Sequence, residues 1–142
     1  MSNPLHADLI EIGWFVRPHG QDDRGGGDLG AAEIRALATA AGGCCGTIQD
    51  IARALGVTRS GATRVVDRLE RSGLVSRCCS EIDRRCTSVE ITTAGRTALA
   101  AASRRFAERL DPVLAPLAES EREELRRALA LLAGLLRNRQ ER

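Results

Sequence analysis

At 142 residues and 43% hydrophobic content, the chain has the length of one domain able to bury one core, and nothing in it suggests a second. Its formal net charge of +2 excludes binding that relies on bulk charge, so a polyanionic partner must be met by cations placed where they are needed. The opening MSNPLHADLIEIG lacks a basic end followed by an apolar run, and the stretch from Ala128 to Leu136 is too short to span a bilayer, so a cytoplasmic location is expected.

Leu5, Leu9, Ile12 and Val16 recur at helical spacing, which predicts a short helix over residues 5 to 17, ending before Pro18. A helix this short is marginal alone and must pack on something. Trp14 reads as ordinary core before it reads as an interface anchor. The glycine-rich, aspartate-rich stretch over residues 18–30 reads as a loop; its GGG lacks the Gly-Lys-Ser/Thr of a phosphate loop. His6 and His19 are isolated and read as solvated. Residues 29 to 41 predict an alanine-rich helix with Leu29, Ile34, Leu37 and Ala38 toward the core, stopped by Gly42 and Gly43.

From Thr47 the pattern sharpens. Ile48, Ile51, Ala52 and Leu55 form one apolar stripe, Thr47 and Asp50 form a capping-box-like pair, and Gly56 supplies the left-handed stop. Thr58 opens a second helix with its own stripe, Ala62, Val65, Val66 and Leu69. The open side then carries Arg59, Ser60, Thr63, Arg64 and Arg68, mostly near the N-terminus, the end that a recognition helix puts into the major groove. Leu74 to Cys79 and Cys86 to Thr92 read as paired strands around a tip containing Arg84 and Arg85, suited to a narrow minor groove. From Arg53 to Arg85 there are eight arginines against four acids, whereas residues 1 to 30 carry two against five.

Thr92 or Thr93 caps a long helix through Ala94, Leu99, Ala102, Phe106 and Leu110, with an interruption expected near Pro112 and Pro116. Ser120 and Glu123 are expected to box the start of the last helix. There Leu125, Leu129, Leu132 and Leu136, broadened by Leu131 and Leu135, offer more apolar width than one partner helix needs. That breadth predicts burial between two subunits.

Asp83, Arg85, Ile91 and Thr92, followed by Ala94 and Gly95, resemble the wing pattern of the MarR family of bacterial transcription regulators, D-x-R, five residues, then Leu or Ile and Thr. The run SGATRVVDRLERSGLV is similar to that family's recognition helix. The match covers the central third to half of the chain, and the N-terminus departs from it, because the family has a longer first helix. The resemblance implies a mainly α fold with a small antiparallel β-wing, a winged helix-turn-helix over residues 47–92 between N-terminal helices at 5–43 and C-terminal helices at 93–142. It also implies a homodimer built from the first and last helices, binding a pseudo-palindromic double-stranded DNA operator, usually as a repressor released by an effector. By the same resemblance Arg85 enters the minor groove and Asp83 holds its guanidinium. The expected DNA contacts are Thr58, Arg59, Ser60, Thr63, Arg64, Arg68, Arg84 and Arg85. The competing reading is a protein-protein module with solvated surface arginines; the motif order and the local charge excess argue against it.

Five cysteines, Cys44, Cys45, Cys78, Cys79 and Cys86, come as two adjacent pairs plus one. In a reducing compartment this favours a metal or redox role over a disulfide framework, although the spacing is not a standard zinc pattern. A symmetric hairpin puts Cys79 opposite Cys86, where Cα atoms are about 4.5 to 5.5 Å apart and within disulfide reach. Successive strand residues point to opposite faces, so Cys78, Cys79 and Cys86 converge on one ion only if the strand ends or bulges at Cys78. Cys44 and Cys45 are expected on a short strand beside the returning wing strand, near Val89. Two readings stay open. In one, the thiols are the sensor, taking a soft metal, a metalloid, an iron-sulfur cluster or an oxidant near Arg77, Arg84 or Arg85; in the other they are apolar fillers and the effector is an organic molecule. No cofactor is certain. A cysteine-based metal or redox protein without DNA function is the remaining alternative, and an enzyme finds little support, with no G-x-S-x-G or H-E-x-x-H motif.

Overall fold

The computed structural model describes residues 4–16, 29–42, 46–79 and 87–140. Among them run α1 (Pro4–Val16), α2 (Ala31–Ala41), β1 (Gly46–Thr47), α3 (Ile48–Leu55), α4 (Arg59–Arg71), β2 (Val75–Cys79), β3 (Thr87–Ile91), α5 (Thr93–Leu114) and α6 (Glu119–Gln140). The strands form one antiparallel sheet in the order β1-β3-β2. The result is a mainly α fold with a small open β-wing, as expected.

Local chemistry sets the helix-turn-helix. The Thr47 N–H donates to Asp50 Oδ2 at 3.0 Å and the Asp50 N–H donates to Thr47 Oγ1 at 3.1 Å, closing a capping box at the start of α3. Gly56, at φ 66°, lets the Val57 N–H reach back to the Ala52 carbonyl and its own N–H to the Arg53 carbonyl. Helix α4 ends in the same way at Gly73, φ 70°, with the Leu74 N–H on the Leu69 carbonyl and the Gly73 N–H on the Glu70 carbonyl. Both are Schellman closures, which need a residue free to take a left-handed conformation.

The core lies where α2, α3, α4 and the sheet meet. Ala36 and Leu37, Ile51 and Ala52, Ala62, Val65, Val66 and Leu69, and the strand residues Val75, Val89 and Ile91 are its buried side chains. Each fully buried leucine, isoleucine or valine contributes about 1.5–3 kcal/mol relative to exposure, which is what makes the eight-residue α3 tenable. All four α4 stripe positions are buried as expected. On α2 the buried pair is Ala36 and Leu37; Ala38 is exposed, because helical rotation from Leu37 continues inward through Ala40 and Ala41 instead.

Two expectations about the C-terminal helices are corrected. Helix α5 continues through Pro112 to Leu114, so the lost backbone bond falls in its last turn, where it removes little, and the expected interruption comes only at Pro116, between α5 and α6. Helix α6 starts at Glu119, and Ser120 lies inside it. The Ala118 N–H is taken by Glu121 Oε2 at 2.8 Å, while Glu123 instead pairs with Arg126 and Arg127. Ile10 on α1 and Leu129, Leu131, Leu135 and Leu136 on α6 are exposed in the single chain. Among the described residues no helix is long and apolar enough to cross a membrane.

Candidate nucleic-acid interface

Helix α4 separates two chemistries along its length. One side is buried, and the other carries Arg59, Ser60, Arg64 and Arg68 exposed, with Thr63 half-buried between them. Arg59 to Arg68 spans about 13 Å of helix axis, the reach of a few base pairs along a groove. No acid lies in the first turn of α4. The N-terminal N–H groups other than that of Gly61, and the positive end of the helix dipole, therefore stay open to an anion. Thr58 caps the helix, its Oγ1 accepting from the Gly61 N–H at 3.2 Å and lying 3.1 Å from Ser60 Oγ. Thr63 Oγ1 donates to the Arg59 carbonyl at 2.9 Å, so its proton is engaged within the helix and a phosphate must compete for it.

The arginines divide by partner. Arg59 and Arg64 have no ion-pair partner among the described residues. Arg68 Nε stands 3.6 Å from Glu33 Oε1, and Glu33 Oε2 also accepts the Gly30 N–H at 2.8 Å. The sequence gives no local sign of this pair, since α2 and α4 are separate elements. Arg77, considered above as a neighbour of a thiolate, is instead held on α4: Nη2 lies 2.6 Å from Asp67 Oδ1 and Nη1 lies 2.5 Å from Glu70 Oε2. The hydrogen bond to Asp67, foremost, together with both carboxylate charges, raises the Arg77 guanidinium further above its ordinary value against a desolvation that lowers it. Strand alternation turns Cys78 to the opposite face from Arg77.

The hairpin register also revises the cysteine geometry. Val75 faces Ile91, Arg77 faces Val89, Cys78 faces Ser88 and Cys79 faces Thr87. Cys79 is thus not opposite Cys86: burial of Val75, Val89 and Ile91 sets the register, and a slip would expose them. The short strand expected before α3 is present, with Gly46 opposite Val89. Arg84, Arg85, Asp83, Cys44, Cys45 and Cys86 lie outside the described residues. Among the described residues no group of three or more His, Cys, Asp or Glu side chains could hold a metal ion.

Arg35 was not singled out from sequence. Its Nε donates to the Ala54 carbonyl, satisfying an end group of α3 from the neighbouring α2.

Comparison with known proteins agrees with this geometry. Residues 30–87 match the model of the MarR family. YfiV of Bacillus subtilis (strain 168), described as an uncharacterized HTH-type transcriptional regulator, is 32% identical over 91 residues, which cover 64% of this chain and 57% of that one. The chain therefore aligns with little more than half the length of that relative. The crystal structure of a probable transcriptional regulator from Pseudomonas aeruginosa has a TM-score of 0.68 at 27% identity, over 89% of this chain and 95% of that one. Wild-type MarR from E. coli in its apo form has a TM-score of 0.70 at 19% identity, over 93% of this chain and 97% of that one, a likeness of fold. From α2 to the start of β3 the chain matches the MarR family model, and it carries the helix-turn-helix and wing in the order found in the winged helix-turn-helix regulators it resembles.

Proposed function

We propose that this protein is a non-enzymatic, homodimeric, cytoplasmic regulator that binds a pseudo-palindromic double-stranded DNA operator and represses transcription until an effector releases it. The observation that carries the reading is the division of α4: a buried apolar stripe backs a face of exposed Arg59, Ser60, Arg64 and Arg68 with half-buried Thr63, and no acid lies in the first turn. In this reading α4 enters the major groove, and Arg84 and Arg85, with Asp83 orienting Arg85, reach a flanking minor groove. Exposed leucines on α6 and apolar residues on α1 support pairing of two chains, which would present two heads one helical turn apart, about 34–36 Å.

Mobility shift of a random-sequence duplex as salt is raised tests the reading. Affinity should fall linearly on log-log axes with a slope of about −0.9 per phosphate contact. A flat response, or no binding at low salt, would remove DNA from the account.

The effector is the finer part of the reading. A thiol sensor is supported by one relationship in the sheet: Gly46, next in sequence to Cys45, and Arg77, next to Cys78, are both Cα partners of Val89. Gly46 and Arg77, each next in sequence to a cysteine, are therefore two strand spacings apart, about 10 Å. A soft metal, a metalloid, an iron-sulfur cluster or an oxidant acting there would alter the wing that carries the tip arginines. Replacing Cys78, Cys79 and Cys86 by serine should abolish release of DNA by such agents. Unchanged release would point to the organic-ligand alternative with cysteines as filler.

A further inference from the structure

The arginine nearest the wing root faces protein, not solvent. Asp67 and Glu70 lie three residues apart on α4, hence on one face, and both point at β2, where Arg77 holds one with each terminal nitrogen of its guanidinium. Arg77 is about a quarter exposed, and its Cα partner across the hairpin is the buried Val89. The backbone between the two elements is only the Schellman turn at Gly73. That turn and the burial of Val75, Val89 and Ile91 seat the root of the hairpin, and the two ion pairs of Arg77 add a polar tie between β2 and the flank of α4.

From this geometry we infer that Arg77 is a positioning residue for DNA reading: it clamps the root of the wing to the flank of the recognition helix and so sets the spacing between the two elements that enter adjacent grooves. The inference rests on the proposed function and deepens it. A planar guanidinium is the group for this task, because its fork engages two carboxylates in a fixed plane, whereas an ammonium is a point charge that leaves the angle loose. The clamp also offsets one of the two carboxylate charges that would otherwise repel phosphates from the side of α4. Arg77 is itself spent on those carboxylates, so it contributes no phosphate contact. Its effect is on specificity, which depends on simultaneous registry in two grooves, and not on the general attraction to DNA.

The test uses the full-length protein, a duplex selected by the wild type from a random pool, and a random duplex. Arg77→Gln should lower affinity for the selected duplex about tenfold or more, the scale of a lost base contact, while the salt slope on random duplex stays as in the wild type. Arg77→Lys should recover part of the selected-duplex affinity. Hydrogen exchange of the free protein should quicken at Val75–Cys79 and Thr87–Ile91 in Arg77→Gln while α3 and the core of α4 keep their protection. Equal loss on both duplexes with a shallower slope would make Arg77 a phosphate contact and overturn the inference. Unchanged selected-duplex affinity, or unchanged exchange in the hairpin, would overturn it too. A wild type that binds neither duplex would sink the proposed function itself and this inference with it, whereas binding by the wild type and Arg77→Gln alike sinks the inference alone.

Discussion

Gly95, in the first turn of α5, lies directly against the Leu74 carbonyl, so closely that a Cβ at position 95 would overlap the carbonyl oxygen and crowd the Ile91 side chain. The approach is drawn tight by hydrogen bonds: the Thr92 N–H donates to the Leu74 carbonyl at 3.1 Å, Thr92 Oγ1 donates to the Gly73 carbonyl at 2.7 Å, and the Gly95 N–H donates to Thr92 Oγ1 at 3.0 Å. One threonine thus caps α5 and ties it to the turn between the recognition helix and the wing.

Gly95→Ala should therefore destabilise the fold by about 2 kcal/mol or more, because backbone, not a flexible side chain, must move to admit the methyl group. Urea denaturation followed by circular dichroism would show the lower midpoint with an unchanged slope. A loss of a few tenths of a kcal/mol, the propensity range alone, would contradict so close an approach.

The cap of α3 should show in the acid limb of stability. The Asp50 carboxyl is held below its ordinary value, first by the Thr47 hydroxyl, then by the Thr47 N–H and by Arg53, with desolvation opposing. A carboxyl lowered in the folded state adds stability that is present above its unfolded value, about pH 4, and is lost as pH falls through the lowered folded value. Thr47→Ala should cost about 1 kcal/mol at neutral pH and flatten this part of the melting profile below about pH 4. Thermal melts across the acid range would check both, and an acid limb as steep in the variant as in the wild type would contradict the assignment.

On α4, Arg64→Ala should weaken binding to a selected duplex by about 1–3 kcal/mol if its guanidinium reaches a base. Arg68→Ala should cost less, because Arg68 starts from an ion pair with Glu33 that DNA must compete with. Glu33→Gln should accordingly tighten binding when Arg68 is present and do nothing in its absence. A double-mutant cycle on duplex affinity would expose that coupling, and additivity would refute it.

Leu131 and Leu135 are more than half exposed in the single chain. Charged replacements there should leave the fold of one chain intact and halve the mass observed by light scattering at micromolar concentration. A full dimer mass for Leu131→Glu with Leu135→Glu would place the pairing surface elsewhere.

The helix-turn-helix could be read from residues alone because everything that defines it acts within about one helical turn or the closing turn after it. Thr47 and Asp50 are three apart; Ala62, Val65, Val66 and Leu69 recur at the helical period; Gly56 is the residue that the closing turn requires. Capping and amphipathic spacing need no knowledge of what packs across the way. The start of α6 was misplaced under the same rule: Ser120 and Glu123 fit a capping box locally, yet the helix begins earlier, with Glu121 on the Ala118 N–H.

What remained hidden depends on where separate elements come to rest. The grip of Arg77 on Asp67 and Glu70, the pairing of Arg68 with Glu33, the close passage of Gly95 under Leu74 and the pairing of Cys79 with Thr87 all join residues from different elements. A side chain's period announces that a face exists, and a charge announces that it wants a partner. Which partner it meets is decided by crossing angles and strand register, and these follow from packing Leu37, Ile51, Val66, Leu69 and Val89 into one core.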